Sequence, residues 1–359
     1  MKVLAAMSGG VDSAVAAALA AEAGHDVVGV HMALSTSRAE TRSGSRGCCT
    51  VEDASDARRA ADRIGIPYYV WDLSEDFHDL VVEDFLSEYA AGRTPNPCVR
   101  CNERIKFASL LERARLLGFD AVATGHYATI RAGGPGGAPS LHRSRNAEKD
   151  QSYVLAVMGP QAVTQSLFPL GEFPDKAAVR EEARRRGLGV STKPDSYDIC
   201  FVADGDTRGF LERHLGEAPG EIVDADGTVL GEHAGTHGFT IGQRKGLGLQ
   251  RPAPDGAPRY VLDVQPDTRQ VIVGAAELLT TRELIASDLI PFEDLTPGRE
   301  VDAQIRAHGE ALPGIIEQVE DGQVRVRLSS GVRGVAPGQT LVLYDGDRVL
   351  AAATLERRA

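Results

Sequence analysis

Two groups of residues in this chain have types and spacings that can do chemistry. The first is Ser8-Gly9-Gly10-Val11-Asp12-Ser13, set between an apolar run and an alanine-rich helical stretch. Glycines let the backbone approach a ligand, and the N–H groups that open a helix lack intrahelical acceptors, so the string reads as a cradle for phosphate. It has neither the Gly-Lys-Ser/Thr ending of a Walker A loop nor the spaced glycines of a dinucleotide fingerprint. The second group is Cys98-Val99-Arg100-Cys101, followed by a helix expected to open at Asn102, together with Cys200 far downstream in a loop-rich stretch. A thiol at a helix start beside Arg100, Arg104 and Lys106 is biased toward thiolate, the form that attacks electrophiles and binds metals. Arg93, Arg100, Arg104 and Lys106 stand against one acid, Glu103, and this local basic excess suits a phosphate-bearing partner.

The elements that must position these groups alternate between short apolar runs and amphipathic helices. Residues 2–7 read as a strand, 12–23 as a helix stopped by Gly24, 26–34 as a second strand, and 35–47 as a polar loop. A helix follows near Thr50, where Thr50 and Asp53 resemble a capping box. Residues 68–73 and 120–124 are expected to be strands, and 74–91 and 102–117 helices. Strands separated by helices imply an α/β fold with a doubly wound parallel sheet, whose ligands gather at the carboxyl ends of the strands after Met7, Met32 and Thr124. Beyond residue 205 the pattern changes to short strands with turn signals, such as Asp226-Gly227. We expect a first domain over 1–205, a small, mostly β middle domain over 206–281, and a C-terminal antiparallel β-barrel over 282–359.

A chain of 359 residues has room for two to three domains at ~150 residues each. With 39 basic and 51 acidic residues the formal charge is −12, which argues against wholesale wrapping of nucleic acid and confines any polyanion to a local basic patch. Five cysteines, an odd count, do not suggest a secreted disulfide framework. The apolar start is too short for a signal peptide and no long apolar run follows, so a cytoplasmic protein with no membrane partner is expected.

Ser8 to Ser13 resembles the PP-loop of ATP pyrophosphatases, which adenylate a substrate oxygen and release pyrophosphate. The resemblance implies ATP as cofactor, Mg²⁺ held with the help of Asp12, and pyrophosphate at Gly9, Gly10 and Ser13. A wider set of blocks resembles the tRNA-specific 2-thiouridylase family in its own order: residues 92–107, 123–127, 149–153, 165–169, 195–201 and 240–248, with a looser match at Pro337-Gly338-Gln339. That family adenylates the C2 oxygen of the wobble uridine of tRNA and replaces it with sulfur. By this resemblance ATP is bound at Ala6, Met7, Ser8, Gly9, Gly10, Val11, Asp12, Ser13, Met32 and Gly125. Cys101 and Cys200 are catalytic, Cys200 carrying a persulfide, Cys101 acting as nucleophile, and the two ending the turnover as a disulfide. Asn96, Pro97, Cys98, His126, Lys149, Asp150, Gln151, Arg306 and Gln339 match tRNA-contacting positions. The implied partners are tRNA and a sulfur donor, a cysteine desulfurase or a sulfur-relay protein, with the chain acting as a monomer.

The sequence departs from the family at Cys98, where an acid is usual. Cys98, Cys101 and Cys200 together offer three thiolates, a set that could hold an iron–sulfur cluster with an open iron for hydrosulfide. A zinc site would need Cys48 or Cys49 as fourth ligand, and these adjacent residues otherwise read as incidental. His126 also reads as a hydrogen-bonded structural histidine, Met32 as core, and Arg306, whose neighbours Ala307-His308 depart from the family, as solvated surface. Two further classes remain: another PP-loop adenylating ligase, which would need neither Cys101 nor Cys200, and a non-catalytic tRNA-binding module, which would release no pyrophosphate.

Overall fold

The computed structural model describes residues 1–35, 51–133, 137–193, 199–202, 204–249 and 256–357. It divides into two compact units, Met1–Val82 with Pro97–Gly205 and Asp347–Val349, and Glu83–Asn96 with Asp206–Gly346 and Leu350–Ala359. The first unit is built on a parallel sheet. Its strands are β1 (Lys2–Ala6), β2 (Asp26–Ala33), β3 (Tyr68–Asp72) and β4 (Ala121–Ala123), followed by a hairpin of β5 (Thr129–Arg131) and β6 (Ser140–His142), and then β7 (Ser166–Leu167). The sheet order is β3-β2-β1-β4-β7, with Lys2 opposite Asp26 and Val3 opposite Ala121. Chain order therefore reverses between β1 and β4, and a doubly wound sheet opens its ligand crevice at that reversal.

Helix α1 (Val11–Glu22) follows β1 and packs an alanine-rich face into the core. Ala14, Ala16, Ala17 and Ala20 are all buried, and such small side chains let the helix lie close against the sheet. Helix α2 (Val51–Ile64) contributes Ala57, Ala60 and Ala61 to the same core, and the Lys176–Arg185 helix contributes Val179 and Ala183.

In the second unit, β8 (Gly220–Asp224), β9 (Val229–His233), β10 (Tyr260–Gln265) and β11 (Gln270–Gly274) form a sheet of order β10-β11-β8-β9. β8 and β9 form a hairpin across the expected Asp226-Gly227 turn, β10 and β11 form a second, and β8 and β11 add a parallel pairing between the two. A six-stranded antiparallel barrel follows, made of β12 (Thr280–Pro291), β13 (Glu300–Gln304), β14 (Leu312–Glu320), β15 (Gln323–Arg333), β16 (Thr340–Asp345) and β17 (Arg348–Leu355), and closed by the pairing of β12 with β17. The fold class expected from the sequence is the one observed. Gly338 shows why Pro337-Gly338-Gln339 stands out in the barrel. Its φ is +86°, a Cβ there would sit 3.1 Å from Arg93 Cβ and Thr94 N, and Thr94 N donates to the Pro337 carbonyl at 2.7 Å.

Two helical expectations change. The single helix expected over 74–91 is three segments, Ser74–Phe77, a π-helical His78–Val82 and Glu83–Ala90. The helix expected to open at Asn102 starts earlier, at Pro97, because proline is suited to a first helical position whose N–H has no acceptor. It becomes π-helical over Cys101–Ser109 before returning to α over Leu110–Leu116. No helix among the described residues is long and apolar enough to cross a membrane.

Candidate active site

The phosphate loop is braced by its own side chains. Ser8 N donates to Ser13 Oγ at 3.1 Å, the two hydroxyls lie 3.2 Å apart, and Ser13 Oγ donates to the Gly10 carbonyl. Gly9 has φ +81°, and a Cβ there would lie 2.2 Å from the Asp53 carbonyl oxygen, so no side chain fits. At Gly10 a Cβ would meet nothing closer than Ser8 Oγ at 3.6 Å, which leaves the mouth of the cradle open. Gly10 caps α1 without a side-chain hydrogen bond, and the first-turn N–H groups remain available to an anion. Ala6 and Met7 are buried below the loop, and Met7 O is fixed by the buried His31 ring at 2.9 Å. Met32 is half-buried near the end of β2, opposite Trp71.

Gly125, just after β4, presses on this loop from the far side of the crevice. A Cβ on it would lie 2.6 Å from Asp12 C and Ser13 N, so only glycine allows the two segments to touch. Asp12 itself is oriented by two groups. Tyr127 Oη donates to Oδ1 at 2.7 Å, and Lys176 Nζ bonds Oδ2 at 2.5 Å. A second lysine, Lys193, reaches the Gly9 carbonyl at 3.0 Å and the carboxylates of Asp53 and Asp56 at 2.6 Å each. Asp53 thus serves this ion pair, while its expected capping partner Thr50 lies outside the described residues.

The donor set fits a nucleotide with Mg²⁺. Magnesium commonly takes one or two carboxylates and completes its shell with phosphate oxygens and water, and Asp12 supplies such a carboxylate at the loop. The same test fails for an iron–sulfur cluster. Cys98 is exposed, Cys101 buried and Cys200 half-buried. Among the described residues no group of three or more His, Cys, Asp or Glu side chains is arranged to hold a metal. Cys48 and Cys49 lie outside the described residues.

Cys101 is the first residue of the π-helical turn, a rare geometry that recurs at functional sites. Near it in the chain, Arg100 pairs with Glu103 at 2.9 Å, Arg104 with the same acid at 3.3 Å, and Lys106 Nζ lies 3.4 Å from His126 Nε2. The other His126 nitrogen lies 2.7 Å from Thr124 Oγ1, and Phe107 and Phe168 flank the ring. Burial, and then the Lys106 charge, push His126 well below the ordinary histidine value, so its imidazole is neutral. Arg93 leaves the expected basic cluster. It is half-buried and held by Glu88 and Glu356 at 2.8 Å each, whose charges offset the cost of partly desolvating the guanidinium.

The remaining candidates fall in two places. Asp150 accepts from Ser144 N, Arg143 and Ser152 Oγ, and Gln151 Oε1 accepts from Tyr127 N at 2.9 Å, so both brace the turn that carries the half-buried Lys149. In the second unit a cavity of about 430 Å³ brings Arg306 and Gln339 together with Arg333, Thr94 and Tyr260. Arg306 donates to the Arg333 carbonyl at 2.6 Å, and Gln339 to the Thr94 carbonyl at 2.5 Å. Asn96 and Pro97 are half-buried. The two lysines at the loop, Lys176 and Lys193, are absent from the sequence-derived set.

Comparison with known proteins places the whole chain. Residues 1–204 match the model of the tRNA methyl transferase HUP domain, 208–275 the tRNA methyl transferase PRC-barrel domain, and 281–355 the aminomethyltransferase beta-barrel domain. The tRNA-specific 2-thiouridylase MnmA of Beutenbergia cavernae is 63% identical, the match covering 99% of this chain and 94% of that protein. Its counterpart in Kineococcus radiotolerans is 62% identical over 99% of this chain and 98% of that protein. That of Streptomyces avermitilis is 58% identical over 99% and 94%.

Proposed function

This chain belongs to the tRNA-specific 2-thiouridylase family, and from that premise we propose that it uses ATP to replace the C2 oxygen of the wobble uridine of tRNA with sulfur. The observation that carries the reading is that the phosphate loop and both thiols, Cys101 and Cys200, belong to one compact unit. Methyl transfer, after which two of the matching domain families are named, calls for neither a pyrophosphate cradle nor a pair of thiols. Adenylation followed by sulfur transfer calls for both.

The C2 oxygen is a poor leaving group. It attacks the α-phosphorus of ATP, pyrophosphate departs into the Ser8 to Ser13 cradle, and the oxygen becomes part of an adenylate. Asp12 would help hold Mg²⁺, which would neutralise phosphate charge. Tyr127 and Lys176 keep both Asp12 oxygens in fixed directions. Cys200 receives a persulfide from a donor, a cysteine desulfurase or a sulfur-relay protein. Its outer sulfur, deprotonated, adds to C2, and AMP leaves with the former C2 oxygen and the bonding pair. Cys101 thiolate then attacks Cys200 Sγ and the S–S bond breaks. Its electron pair passes to the sulfur on C2, leaving a thiocarbonyl and a Cys101–Cys200 disulfide that an external dithiol reduces. No step runs through an iron–sulfur cluster, whose ligand set the described residues do not assemble.

We assign tRNA contacts to Asn96, Pro97, Cys98, His126, Lys149, Asp150, Gln151, Arg306 and Gln339. The domains are assigned as 1–205, 206–281 and 282–359, with the extents of the three family models as support. The test incubates the protein with ATP, Mg²⁺, a persulfide donor and unmodified tRNA. 2-Thiouridine, detected by nucleoside mass spectrometry, is expected with AMP and pyrophosphate in equal amounts. ADP as product contradicts the phosphate-loop reading, and AMP without 2-thiouridine contradicts the sulfur transfer.

A further inference from the structure

Lys193 is more closely integrated into the phosphate loop than any reading of the motifs requires. Asp53, an acid in the first turn of α2, has an ordinary reason to be there, since it complements the helix dipole, but that reason does not account for where its side chain and that of Asp56 point. The Asp53 side chain is only 9% exposed, its backbone carbonyl touches Gly9, and its carboxylate and that of Asp56 converge on one ammonium. Arg59 also pairs with Asp56, and among the described residues Lys193 is the cation shown bonding both acids and the Gly9 carbonyl. Two carboxylates at the wall of a site for a triphosphate repel the ligand through a medium of low dielectric unless a positive charge sits between them.

We propose that Lys193 is the charge-compensating residue of the nucleotide site, whose ammonium holds Asp53, Asp56 and the Gly9 carbonyl together so that a triphosphate can bind beside two acids. The inference rests on the ATP reading above. Its geometry is reinforced by the backbone. Arg180 donates to the carbonyls of Ser191 and Lys193 at 2.9 Å each, and Lys176, one turn earlier on the same helix, bonds Asp12. One helix therefore delivers two ammonium groups to the loop, one directly and one by fixing the strand of chain that carries it. Burial opposes the Lys193 charge, but its bonds to Asp53 and Asp56 outweigh burial and hold it above the ordinary lysine value.

Lys193 acts through the loop and the acids, so its test must separate charge from shape. ATP dissociation constants are measured by calorimetry on the full-length protein at low and high salt, for the unaltered chain, Lys193→Met, and Lys193→Met combined with Asp53→Asn. Lys193→Met is expected to bind ATP roughly tenfold or more weakly, the size of a lost charge-assisted bond, with a smaller deficit at high salt. The double variant removes one charge of each sign and is expected to bind ATP within a fewfold of the unaltered chain. A lysine that merely supports the fold would give no such rescue. ATP affinity within twofold of normal in Lys193→Met, or a tenfold deficit in the double variant, overturns the inference; the second criterion stands even if Lys193→Met fails to fold. Absence of ATP binding by the unaltered chain would instead overturn the ATP reading itself.

Discussion

Gly125→Ala adds one methyl group at the place where the β4 loop meets the phosphate loop. The new Cβ would lie 2.6 Å from Asp12 C and Ser13 N, whereas ordinary contact begins at 3.4 Å, so one backbone must retreat by 3.4 − 2.6, about 0.8 Å. Both obstacles are main-chain atoms at the start of α1, and neither can rotate away. Overpacking of this kind costs about 1–3 kcal/mol of stability, which a protein of this size survives. Its effect on chemistry is larger, because a displacement near 1 Å at reacting groups lowers rates about a hundredfold. Gly189→Ala is the control, since a Cβ there meets nothing within 4 Å and its φ is not in the left-handed region. The assay is the rate of 2-thiouridine formation at saturating tRNA, with melting temperatures for both variants. A folded Gly125→Ala protein within threefold of the normal rate, or an equal loss in Gly189→Ala, refutes the argument that this contact sets the loop.

Arg93→Ala should lower the melting temperature, because Glu88 and Glu356 lose the guanidinium between them, at a cost of about 1–3 kcal/mol. Arg104→Glu should instead weaken tRNA binding and flatten its salt dependence while leaving the melting temperature unchanged, because its side chain is 45% exposed. A gel-shift titration beside a thermal melt separates the two, and tRNA affinity unchanged by Arg104→Glu removes that residue from the interface. Glu182 is held at about 2, chiefly by its bond to Arg185 and then by that to Arg186. Because its folded value is depressed, its contribution is present above the unfolded value of 4.5 and is lost as pH falls toward 2. Glu182→Gln should therefore melt below the unaltered chain at pH 7 and alongside it near pH 2; a gap that does not close on acidification contradicts the assignment.

The parallel sheet was legible because its strands are short, apolar and separated by patterned helices, and β1, β2 and β3 begin at the residues the pattern indicates. The barrel showed itself through period-2 runs, clearest in β14 and β15; the run at 341–344 in β16 is buried throughout. Its last strand, β17, did not, since Val349 to Leu355 is buried throughout and carries no alternation. β7 was missed because two residues carry no pattern. At the site, Gly9, Gly10 and Asp12 stand together in one string and could be read locally. Lys176 and Lys193 could not, because they lie 164 residues from Asp12 and 184 from Gly9 and meet them only through the fold. Arg93 failed for a related reason: it was grouped with Arg100, Arg104 and Lys106 further along the chain, whereas its carboxylate partners are Glu88, five residues before it, and Glu356, from the far end of the chain.

In the proposed reaction the C2 oxygen of the uridine leaves on AMP. This is tested by preparing tRNA with ¹⁸O at C2 of the wobble uridine, running the reaction with unlabelled ATP and persulfide donor, and weighing the AMP by mass spectrometry. One AMP carrying one ¹⁸O is expected for every 2-thiouridine formed. Unlabelled AMP formed in step with 2-thiouridine would contradict it.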